Sequence, residues 1–152
     1  MKIDRSNVID HLVEKFEEDK TLYLLVCDCG FAKIDKLKDL YPDRVINCGI
    51  MEQGTVGIAA GMAQAGLKPI IFSIASFIVF RALEQIRIDL VQMSRRVKII
   101  GQGSGDYFNG LGKCHCTGDE DFAVLNAIGM PVYLPGEINQ WLESEDPGYL
   151  KL

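Results

Sequence analysis

The chain has 152 residues, 48% hydrophobic and 24% charged, with a net charge of −5; this suits one globular domain spanning 1–152 that buries about two thirds of its unfolded surface. The acidic balance argues against a nucleic-acid partner, which needs a basic footprint. No apolar run approaches the ~20 residues of a membrane span, and the charged start Met1-Lys2-Ile3-Asp4-Arg5 lacks the apolar core of a secretory leader. Five cysteines, an odd number, suit free thiols in a reducing compartment, so the chain is read as cytoplasmic.

In chain order, Ser6 is the expected N-cap of a helix whose apolar face is Val8, Ile9, Leu12, Val13 and Phe16, ending in the charged run 17–20. Leu22–Val26 reads as a strand buried on both faces, broken by Cys27-Asp28-Cys29-Gly30. A short helix over 34–40 stops at Pro42, and Val45-Ile46 is a second short strand. Residues 54–65 form a helix of small residues, with Gly57, Ala59, Ala60, Gly61 and Ala63 letting a backbone or ligand come close. Lys68–Ile74 is a third strand, 76–93 one long helix, 97–100 a fourth strand, and 101–118 a glycine-rich loop. Residues 119–127 are helical, 132–134 and 149–152 are the last strands, and Trp141 caps a reduced helix between them. Alternating helices and apolar strands predict an α/β, three-layer domain: a mostly parallel sheet of about six strands covered by helices on both faces.

Two stretches carry chemistry. Gly49-Ile50-Met51-Glu52-Gln53-Gly54 sets a carboxylate between a strand and a helix start with almost nothing polar around it. By itself, such a glutamate is equally an ordinary first-turn acid at the positive end of a helix dipole. In the helix over 76–93, Val79, Leu83, Ile86, Leu90 and Met93 align at 100° per residue and are expected on the sheet. Phe77 and Phe80 point away, together with Ile88 and Val91, which predicts burial of a second side by a ligand, another subunit or both.

The run 43–53, the later Gly61-Met62-Ala63-Gln64-Ala65-Gly66-Leu67-Lys68-Pro69, then Ser76-Phe77-Ile78-Val79-Phe80-Arg81, and finally 120–135 resemble the pyrimidine-binding domain of transketolases and 1-deoxyxylulose-5-phosphate synthase. The resemblance covers nearly the whole chain. It implies thiamine diphosphate as cofactor, with Glu52 hydrogen-bonded to the aminopyrimidine ring and activating it, and Phe77 and Phe80 packed on that ring. An apolar site suits this role, because burial raises a carboxyl pKa toward the range in which it gives and takes protons. His115 aligns with a substrate-facing histidine of the family.

The resemblance also implies what lies elsewhere. The family holds the diphosphate through a divalent ion, Mg2+ or similar, on a domain marked by Gly-Asp-Gly, and that tripeptide does not occur here. The family's C-terminal domain is not represented either. The expectation is the small subunit of a split transketolase-like transferase. It would be active only with a separately encoded diphosphate-binding subunit, as an α2β2 hetero-oligomer or a homodimer of this chain, on a small sugar substrate. The alternatives are a deoxyxylulose-phosphate synthase or 2-oxoacid dehydrogenase β-type subunit, or a non-catalytic module of the same fold. In the loop, Gly110-Leu111-Gly112-Lys113-Cys114-His115-Cys116 departs from the family's Gly-Pro-Thr-His-Gln-like pattern. Cys27 and Cys29, Cys48, and Cys114-His115-Cys116 also offer a zinc or redox reading, although Cys-x-Cys is not the usual knuckle spacing. Cys27 and Cys29, alternate residues at a strand end, are expected on one face, and buried cysteines act as small hydrophobes. No metal ligand is therefore assigned.

Overall fold

Residues 7–152 are described by a computed structural model, and the expected N-cap Ser6 lies outside them. The described residues form a six-stranded sheet from β1 (Leu22–Val26), β2 (Val45–Asn47), β3 (Lys68–Ile74), β4 (Lys98–Gln102), β5 (Val132–Tyr133) and β6 (Gly148–Lys151). The order is β2-β1-β3-β4-β6-β5, and every neighbouring pair is parallel. This is the α/β arrangement that the continuous apolar runs Leu22–Val26 and Lys68–Ile74 predict, since a parallel strand is covered on both faces. Helix α1 (Val8–Glu18) precedes β1, and the crossovers between strands carry α2 (Asp35–Leu40), α3 (Glu52–Gln64), α4 (Ala75–Arg81), α5 (Leu83–Gln85), α6 (Glu120–Ala127) and α7 (Ile138–Glu143).

Strand alternation divides the core in two. Leu24, Val26, Ile70, Phe72, Ile100 and Leu150 pack on one face under α1 and α7, against Val8, Leu12, Phe16 and Trp141. Leu25, Ile71, Ile99 and Tyr149 pack on the other, against Val56, Ile78, Val79, Ile86 and Leu90. Each fully buried aliphatic side chain contributes roughly 1.5–3 kcal/mol relative to an exposed one. Trp141 does not cap α7. It is fully buried within that helix, and its indole Nε1 donates to the Gly148 carbonyl at 3.0 Å.

The one large departure from expectation is the helix over 76–93. Its α-helical course ends at Ala82 (φ −107°, ψ 19°), and after α5 the chain continues as a π-helix, Ile86–Gln92. Backbone bonds from Met93 to Ile88 (3.2 Å) and from Arg95 to Leu90 (2.9 Å) span five residues, the mark of π winding. A wider turn advances less than 100° per residue, so the stripe goes out of phase. Val79, Ile86 and Leu90 are fully buried as expected, but Leu83 is half-buried and Met93 is 56% exposed. Val91 is half-buried against the core of its own chain, and Ile88 is half-buried as well. Among the described residues, no helix is long and apolar enough to cross a membrane.

Candidate functional site

The loops that leave the carboxyl ends of β2, β3 and β4 meet at one rim of the sheet, where open α/β folds bind ligands. After β2, Gly49 takes a left-handed backbone (φ 75°) and its N–H donates to Asn47 Oδ1 at 3.0 Å. Asn47 also receives the Asp28 N–H at 3.2 Å and returns a bond from Nδ2 to Asp28 Oδ1 at 3.1 Å. These bonds lace the ends of β1 and β2 together and fix the turn that delivers Glu52. Helix α3 begins at Glu52 itself, two residues earlier than expected, so the carboxylate sits in the first turn, where the helix dipole favours negative charge. Its side chain is only 3% exposed, at the floor of an open cleft of about 430 Å3 lined by Ile50, Met51, Gln53, Gly54 and Arg81.

The surroundings of Glu52 are not purely apolar. Arg81, the last residue of α4, sends one nitrogen, Nη1, to both carboxylate oxygens, at 3.1 Å and 3.2 Å. Its guanidinium carbon lies 3.8 Å from the centroid of the Phe77 ring. Phe77 and Arg81 stand four residues apart, one turn of α4, which allows the stack. The sequence reading missed Arg81. Its signal is that α4 (Ala-Ser-Phe-Ile-Val-Phe-Arg) carries one charged residue, one turn beyond the aromatic assigned to the ligand.

Phe77 is also the link to the glycine-rich loop. The His115 ring lies 4.9 Å from the Phe77 ring, tilted by 60°, and Ser76 Oγ donates to the Cys114 carbonyl at 2.8 Å. His115 is half-buried, with Nδ1 at 3.3 Å from Cys114 Sγ. A contact series therefore runs Glu52, Arg81, Phe77, His115. Phe80 is not part of it: 39% exposed, it lines a neighbouring hollow of about 480 Å3 with Gln53, Arg81, Leu83 and Arg87.

The loop is pinned at its ends. Gly101 has to be glycine, since an added Cβ would lie 1.9 Å from the Tyr149 hydroxyl oxygen. Gly105 N–H donates to Thr117 Oγ1 at 2.8 Å, closing the loop across its neck. Beneath it lies Asp121, fully buried, which accepts from the Ser104 hydroxyl, the Tyr149 hydroxyl (3.3 Å) and the Phe122 N–H (3.0 Å), with Lys151 Nζ at 3.5 Å. Burial first, and then the Asp121 charge, push the Tyr149 phenol well above its ordinary range, keeping it a neutral donor.

The cysteines do not converge. Cys27 and Cys29 join opposite core faces rather than one, because the left-handed residue between them, Asp28 (φ 48°), ends the strand alternation. Burial pushes the Cys27 thiol up to about 11 and the Cys29 thiol up to about 12, far from a nucleophilic thiolate. Among the described residues, no three His, Cys, Asp or Glu side chains form a group able to hold a metal ion.

Residues 8–140 match the family model for the transketolase pyrimidine-binding domain, and the chain belongs to that family. It is 35% identical over 138 residues to one of the named subunits of an apulose-4-phosphate transketolase from Phocaeicola vulgatus, a match covering 90% of this chain and 44% of that protein. The like-named protein from Actinobacillus succinogenes is 34% identical over 135 residues, covering 88% and 43%. A solved structure described as a split gene transketolase, inactive beta4 tetramer, superposes with a TM-score of 0.84 at 28% identity, over 97% of this chain and 50% of that one. The chain thus spans less than half the length of these curated relatives.

Proposed function

We propose that this chain supplies the pyrimidine-binding half of a thiamine-diphosphate site in a transketolase-like transferase, and that a separately encoded subunit supplies the other half. The observation that carries the reading is the buried Glu52 carboxylate at the floor of a cleft whose next neighbours are Arg81 and the Phe77 ring. Those side chains fit a flat nitrogen heterocycle. The planar guanidinium of Arg81 already rests on Phe77 while donating N–H to Glu52, so the pair accepts a thin group with ring-plane and hydrogen-bonding needs.

When bound, thiamine diphosphate supplies a carbon nucleophile and an electron sink for exchanging the bond beside a ketose carbonyl. The chain's own residues do the rest from this side. Glu52 exchanges a proton with the ring nitrogen, and its burial keeps water from competing for that hydrogen bond. Phe77 gives the ring an apolar face, and Phe80 borders the same region from the adjoining hollow. In this reading His115, which the structure holds against Phe77, hydrogen-bonds a sugar oxygen. The divalent ion and the diphosphate belong to the partner, since Gly-Asp-Gly does not occur in this sequence. Ile50, Met51, Ile58 and Met93 are exposed apolar residues that fit burial by another subunit. The relatives support this division of labour: two are named as single subunits of a transketolase, and the third is a split-gene β tetramer without activity.

Glu52→Gln tests the reading, because it keeps the size and removes the exchangeable proton. In the complex with the partner subunit, hydrogen–deuterium exchange at the cofactor's reactive carbon is expected to slow by about 10²–10⁴-fold while association persists. Exchange at the parental rate would refute the role of Glu52.

A further inference from the structure

Arg81 places its guanidinium plane over Phe77 and one nitrogen against both oxygens of Glu52. These are the two contacts that the proposed function assigns to the cofactor's aminopyrimidine, a face on Phe77 and a hydrogen bond to Glu52, and one side chain takes both. Arg81 Nη1 stands in front of both carboxylate oxygens, so a ring nitrogen approaching either competes with it for that space, and two flat groups cannot take the same ring face. We propose that Arg81 is an internal latch, standing in for the pyrimidine ring in the lone chain and swinging out when the ring enters.

Three features make the latch movable. The Arg81 side chain is 45% exposed, against 3% for Glu52, so solvent screens the arginine end of the pair. Both of its hydrogen bonds come from a single nitrogen, leaving the rest of the guanidinium unforked. Arg81 also closes α4 next to Ala82, where the backbone leaves the helical course, and it lines both the Glu52 cleft and the hollow beside Phe80. Rotation out of the cleft therefore has a place to go, with Glu84 lining the same hollow to receive the charge. The latch gives Glu52 a counter-charge while the ring is absent. By population shift, a latch closed about nine-tenths of the time weakens the apparent affinity for the ring about tenfold.

The inference rests on the proposed site, and its test separates the two. The probe is 4-amino-5-hydroxymethyl-2-methylpyrimidine, the uncharged ring half of the cofactor, titrated by NMR into the full lone chain without a partner. Arg81→Met keeps the length of the stem and removes the plane and its donors, and is expected to bind the probe about tenfold more tightly than the parent. Arg81→Lys, which keeps the charge but not the plane, is expected to fall between them. Adding Glu52→Gln to Arg81→Met is expected to cancel the gain. Equal affinity in parent and Arg81→Met would overturn the latch and leave the site reading standing. Weaker binding by Arg81→Met would overturn it too, making Arg81 a ligand of the ring rather than its substitute. Absence of binding in every variant, with unfolding midpoints showing all of them folded, would overturn the site reading and the latch together.

Discussion

Two residues of opposite character show how burial sets chemistry in this chain. Lys98 starts β4 with 3% of its surface exposed, and its Nζ donates to the carbonyls of Ser144 (2.9 Å) and Asp146 (2.6 Å). Burial, with repulsion from Arg96 behind it, pushes the ammonium down from the ordinary 10.5 to about 8. Between those two values the unfolded chain binds the proton more strongly than the folded one, so this lysine's contribution to stability rises as pH increases from about 8 to 10.5. Urea unfolding of the parent and of Lys98→Met checks this: the parent is expected to gain on the variant by up to a few kcal/mol across that window. Parallel pH profiles would show that the shift is absent. His115 is the contrasting case, half-buried on a loop and stacked on Phe77. His115→Ala is expected to lower turnover of the reconstituted complex by about 10²-fold, with kcat falling more than KM, and to leave the unfolding midpoint near the parental value. Metal release with loss of stability on the same change would assign the histidine to a zinc site instead.

At the scale of elements, the π-helix Ile86–Gln92 decides which side chains the chain buries. If α-helical phase held, Leu90 and Met93 would be equivalent core positions; with π winding only Leu90 is. Leu90→Ala is accordingly expected to cost about 2–5 kcal/mol, and Met93→Glu within about 0.5 kcal/mol, in the lone chain. Comparable losses at the two positions would mean the helix runs straight. The sheet was legible because parallel strands buried on both faces leave uninterrupted apolar runs, and each strand begins within one residue of where its run does. The glycine-bounded turn was legible from spacing, since it does open a helix on Glu52; the roles expected of Phe77 and His115 come from the family resemblance alone, and the structure sets their rings 4.9 Å apart. The helix break was not, since Ala82 has no local signal for it and a fixed 100° periodicity presumes α winding throughout. Arg81 was not legible as part of the site for a related reason. Sorting the apolar residues of 76–93 onto two faces passes over its two cations, Arg81 and Arg87, and a bond to Glu52, 29 residues earlier in sequence, turns Arg81 inward. Trp141 likewise read as a cap because only the fold brings Gly148 to its indole.

At the scale of the whole molecule, the proposed site is one half of a site shared with a second subunit. One rim of the sheet holds Glu52, Phe77 and His115, apolar side chains such as Ile58 (47% exposed) face outward, and the sequence has no Gly-Asp-Gly for a diphosphate-bound cation. The most direct test is calorimetric titration of thiamine diphosphate with Mg2+ into the chain alone and into its mixture with the proposed diphosphate-binding subunit. No saturable binding at micromolar cofactor is expected for the chain alone, and one micromolar or tighter, magnesium-dependent site per copy is expected in the mixture. Micromolar, magnesium-dependent binding by the chain alone, or no binding by the mixture, would contradict the shared site.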